Sequence, residues 1–196
     1  MDFQQTSLPD GQIFREAFAA GWARYLSRFA HTDLAAEQYL RGPVAMARLI
    51  FEHGGPAREI AAAACLAGPA VFSDSPEDWL DERLVEFSRE FRVIGRSSPG
   101  ELYGKVNGLS PDARLLLQAS AIMLLEQLVA SPEDSAEECM KSYTDSLELY
   151  SAARGVADTY KLDTKFEIAA MKVTTILDGH AHLWAKPRAM TARVHA

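Results

Sequence analysis

The chain has 196 residues, 48% of them hydrophobic and 24% charged, with a formal net charge of −7. Size and balance together predict one packed domain and exclude a disordered chain. So acidic a surface repels a phosphate backbone, which weighs against nucleic acid as a partner.

The N-terminal "MDFQQTSLPDGQ" lacks the basic region and apolar core of a secretory signal, and no apolar run approaching the roughly 18 residues of a membrane span stands out. No membrane partner is therefore expected. Cys65 and Cys139 have no second thiol at a chelating spacing, and two reduced thiols in a cytoplasmic protein are the expectation. Residues 1–10 are expected to be a flexible lead, 11–185 a helical domain, and 186–196, with Lys186, Arg188 and Arg193, a basic flexible tail.

After Asp10-Gly11, residues Phe14, Phe18, Trp22, Tyr25 and Phe29 recur every three or four positions, which predicts a first helix with an aromatic face. That face is either core or a dimer surface. A short helix is expected over 33–40, stopping before Gly42-Pro43 because the residue ahead of proline is pushed out of the α region. Pro43 then opens a helix over 43–53, and Pro56 another over 56–67, each at a first position where a missing N–H costs nothing. Further helices are expected near 76–92, 99–107, 111–130, 132–158 and 164–185. Ser75-Pro76, Ser98-Pro99, Ser110-Pro111 and Ser131-Pro132 each place a capping hydroxyl ahead of a proline. The two "SPED" tetrapeptides at 75 and 131 are read as independent caps rather than as a repeat. No strand signal persists, so the expected fold is all-α, a bundle of about seven to nine helices.

The segment "ILDGHAHLW", from Ile176 to Trp184, resembles the His-x-His of the amidohydrolase superfamily, whose metal-binding pair closes the first strand of a (β/α)₈ barrel. Such barrels need upwards of roughly 200 residues, mostly after that motif, whereas twelve residues follow Trp184. The apolar stripe Phe166, Ala170, Val173, Leu177 runs on through His180 and Trp184, which predicts a helix. His180 and His182 then lie about 200° apart and cannot share an ion. Asp178 with His182, four residues on, is the weaker half-site that survives, with His31 or His53 as the free ligands; a solvated face is the preferred reading.

The stretch "YLRGPVAMARLIFEHGGPAREIAAAACLAGPAV", Tyr39 to Val71, followed by "ARLLLQASAIMLLEQL", Ala113 to Leu128, resembles the HD-domain phosphohydrolases, in particular the alarmone-hydrolase branch, over residues 29–128. The resemblance implies an HD-like helical fold. It also implies that the family's first histidine falls at Gly42, its His-Asp pair at Ala67-Gly68, its Glu-Asp pair at Val71-Phe72 and its late aspartate near Ser120. None of these supplies an imidazole or carboxylate, so no metal and no other cofactor is expected, and with no metal-activated water the family's hydrolysis cannot run.

The first functional expectation is therefore a catalytically inactive HD-like module that binds a protein partner or a small, nucleotide-like ligand, with Arg41, Gly42, Ala67, Gly68 and Ser120 around the vacated centre. A homodimer is left open. A second reading is a helical enzyme with another active site, for which His31, His53, His180, Asp178, Glu126 and Arg41 are acid–base candidates, none paired at a telling spacing. A third is a TetR-like DNA reader at Arg58 to Leu80, whose recognition helix would read "GPAVF", without a side chain to reach base edges.

Overall fold

The fold was analysed in a computed structural model that describes residues 11–29, 33–55, 58–67, 81–94, 105–130, 136–155 and 159–184. Among them are seven α-helices, one 3₁₀ turn and no strand: α1 (Gln12–Phe29), α2 (Asp33–His53), α3 (Arg58–Ala67), α4 (Glu82–Ile94), the turn Val106–Gly108, α5 (Pro111–Ala130), α6 (Ala136–Ala153) and α7 (Tyr160–Trp184). The protein is all-α, as its sequence predicts.

Helix α5 is the axis of the bundle. Its sequence "RLLLQASAIMLLEQLVA" is apolar on nearly every side, which suits a helix surrounded by others. It packs against α2, α3, α4, α6 and α7. Leu115, Ile122 and Leu125 are fully buried, each stabilising the fold by roughly 1.5–3 kcal/mol relative to exposure. By length and hydropathy this helix does pass as a membrane span, contrary to the reading of the apolar runs above. Enclosure by five neighbours gives the same composition a core role here.

The main core joins all seven helices, α7 entering it through Leu162, and a smaller one is formed where Leu125 and Leu128 of α5 meet Cys139 of α6 and Ala169, Val173 and Leu177 of α7. Helix α3 is the most enclosed: every residue from Ala61 to Ala67 is buried. Methyl side chains let neighbouring backbones come close, and Gly21 of α1 takes this furthest. A Cβ there would meet the Leu66 carbonyl oxygen well inside van der Waals contact. The aromatic face of α1 is core at Phe14, which is buried and packs edge-to-face on Phe51 of α2 at 5.7 Å between centroids.

Several helix boundaries differ from expectation. Helix α2 runs unbroken through Pro43, so the predicted break at Gly42-Pro43 does not occur. An interior proline removes one hydrogen bond and crowds the preceding turn, yet α2 packs against both α3 and α5, and tertiary packing of the helix outweighs the local preference. Helix α4 starts at Glu82, with Asp81 as its cap: the Asp81 carboxylate accepts from the Arg83 backbone N–H at 2.9 Å, while positions 76–80 of the expected span lie outside the described residues. The last helix starts at Tyr160, a turn earlier than the apolar stripe suggests, because the Thr159 carbonyl accepts from Leu162 and Asp163.

Ser110 behaves as its sequence predicts. Its hydroxyl accepts from the Ala113 N–H at 3.2 Å, with Pro111 in the first turn. The same hydroxyl donates to the Glu90 carboxylate at 2.6 Å, and the Ser110 N–H donates to the other oxygen, tying α4 to the start of α5. The expected caps at Ser75, Ser98 and Ser131, and both terminal segments, lie outside the described residues.

Candidate functional site

Where α2 and α5 diverge they leave an open groove of 610 Å³ lined by Gly42, Pro43, Met46, Ser120, Met123, Leu124, Glu126, Gln127 and Ala130. Positions 42 and 46 are one turn apart on α2. On α5, 120, 123, 124 and 127 are neighbours on one helical face. Across the groove the Met46 sulfur lies 3.6 Å from the Ser120 hydroxyl oxygen. That hydroxyl gives its single proton to the Leu116 carbonyl at 2.8 Å, its shorter contact, so it offers an incoming group lone pairs and no hydrogen. Two methionines, Leu124 and the Pro43 ring make the surface apolar and adaptable. Glu126 and Gln127, both exposed, edge it, and no cation is among the described lining residues.

Two of the five sequence-predicted ligand positions, Gly42 and Ser120, come together here from residues 78 apart in the chain. Ala67 does not join them; it is fully buried at the end of α3, against α1. Gly68 and the Val71-Phe72 positions lie outside the described residues, as does the side chain of Arg41, which sits on α2 beside Gly42. Sequence reasoning missed Met46, Met123, Leu124 and Gln127. The signal for Met123 and Leu124 is that α5 stays apolar on the side a core helix would turn to water, leaving Leu124 44% exposed.

The acid–base candidates are scattered. Glu126 is on the groove edge and Asp178 is exposed on α7, whose backbone continues helically through positions 180 and 182 and so puts those two positions about 200° apart around the axis. His31 is outside the described residues. Among those described, no three His, Cys, Asp or Glu side chains converge as a metal site would require.

His53 ends α2 partly buried, its Nε2 3.7 Å from the Glu52 carboxylate and its Nδ1 buried with no hydrogen-bond partner among the described residues. Burial, then the positive charge of Lys165, holds its pKa below the ordinary histidine value. Gln118, fully buried on α5, likewise leaves both amide atoms unpartnered among the described residues. Between α6 and α7, the Tyr150 hydroxyl donates to Asp163 at 2.7 Å while its ring stacks on Phe166 at 3.8 Å. Burial and then that carboxylate push the phenol's pKa up, which makes it a structural link rather than an acid–base group.

No protein-family model, no curated protein and no solved structure matches this chain. The HD likeness thus rests on the sequence pattern alone.

Proposed function

We propose that this chain is a non-catalytic helical binding module, an HD-like pattern without its metal ligands, whose α2–α5 groove receives the apolar face of an amphipathic helix from a partner protein. The lining of that groove carries the reading. Met46, Met123, Leu124 and Pro43 present flexible apolar surface in a trough between two helices, the form in which grooves accept helices through anchors at i, i+3, i+4 and i+7. The trough is open, whereas a small ligand needs most of its own surface enclosed. A nucleotide is disfavoured because, among the described residues, the lining holds a carboxylate and no cation to meet its phosphates. Glu126 at the edge and the net charge of −7 favour a helix flanked by Lys or Arg.

The test is fluorescence anisotropy with a labelled amphipathic Leu/Lys peptide of about four helical turns. Met123→Asp should raise its Kd by about tenfold or more. Met140→Asp, which adds the same charge at an exposed site on α6, should leave it unchanged. Equal affinity in both variants, or equal weakening, removes the reading.

A further inference from the structure

Helix α7 carries a second, separate surface. Leu162, Phe166, Ala169 and Val173 turn towards the bundle. On the opposite side Lys161, Thr164, Ile168, Met171, Thr175 and Asp178, all exposed, recur at alternating spacings of three and four, the seam pattern of paired helices. At its middle, Ile168 is 49% exposed and Met171 70% exposed. The seam also complements itself when reversed. About a two-fold axis midway between positions 169 and 170, an antiparallel second copy sets Ile168 opposite Met171, Thr175 opposite Thr164, and Asp178 opposite Lys161. A parallel pairing would set Lys161 on Lys161 and Asp178 on Asp178, like charge on like.

From this we infer that α7 is a homodimer interface, with a second copy of the chain as its occupant, paired antiparallel about the Ile168–Met171 centre. An isologous contact of this kind needs one patch that is its own complement, and the seam meets that condition at its apolar centre and at its charged ends. One helix face buries an area at the low end for protein interfaces, so the dimer is weak, with a Kd on the order of 100 μM. The inference is independent of the groove between α2 and α5.

Sedimentation velocity of the full chain from about 10 to 500 μM spans that Kd and should show monomer passing to dimer. Met171→Glu puts a charge at an exposed position, so the circular-dichroism melt should stay put while the dimer is lost. Leu124→Glu, in the groove, should leave the dimer intact. For the pairing itself, a spin label at Thr175→Cys should report about 19 Å between copies, from 1.5 Å of rise per residue and a helix separation near 9 Å; parallel helices would report about 9 Å. Both native thiols are buried away from the label. A monomer at every concentration, as when another segment of the chain or a different protein covers the seam, overturns the inference. So does a dimer that survives Met171→Glu, one that Leu124→Glu abolishes, or a spacing near 9 Å.

Discussion

Gln118 holds a donor and an acceptor in the centre of α5 with neither satisfied among the described residues. A buried amide without partners costs about 1–3 kcal/mol, and an apolar side chain of the same shape removes that cost. Gln118→Met should therefore stabilise the fold by about 1 kcal/mol, read as a higher urea midpoint at unchanged slope. His53 makes a pH-dependent contribution of definite sign. Its folded pKa lies below the unfolded value, so the unfolded chain takes up the proton first. The neutral ring's contribution is complete above pH about 6.5 and is lost as the pH falls through the lower folded value. Melting temperature should decline over that window, and His53→Gln should flatten the decline. Cys65 is fully buried, and burial pushes its thiol pKa up, so it should resist thiol reagents until the chain unfolds.

Where one backbone rests on another, the element as a whole is sensitive. Gly21→Ala drives a methyl into the Leu66 carbonyl of α3, and α1 must lift to make room. We expect a loss of about 1–3 kcal/mol in chemical denaturation, large for the addition of one carbon. The elements were legible from sequence where a local device sets them: the Ser110-Pro111 cap and the long apolar α5 appear where expected. The continuity of α2 through Pro43 was not, because a local penalty was outweighed by tertiary packing, which no local pattern encodes. The groove was half legible for the same reason. Aligned motif positions pointed to Gly42 and Ser120, but only the crossing of α2 and α5 determines that Met123 and Leu124 join them while Ala67 is sealed away.

At the scale of the whole molecule, α5 bears on both cores, so it should be the last element to open. Amides from about Leu115 to Leu125 should exchange with deuterium only through global unfolding, with protection approaching the full folding free energy. Sub-global exchange within that stretch would mean that the two cores unfold separately. The face of α5 that lines the groove and the outer face of α7 are both turned away from the two cores, so changes at the exposed Leu124 or Met171 should leave melting nearly untouched.

The enclosure of α3 on all sides has a practical corollary for anyone scoring variants of this protein wholesale. Its run of alanines leaves no space for a larger residue, so nearly every replacement from Ala61 to Ala67 should be deleterious, while Met123 and Leu124 accept many changes without unfolding the chain. A map of intolerance drawn from abundance would thus glow over this buried segment and stay dark over the groove proposed to bind. Only a screen that selects for binding would reverse the picture.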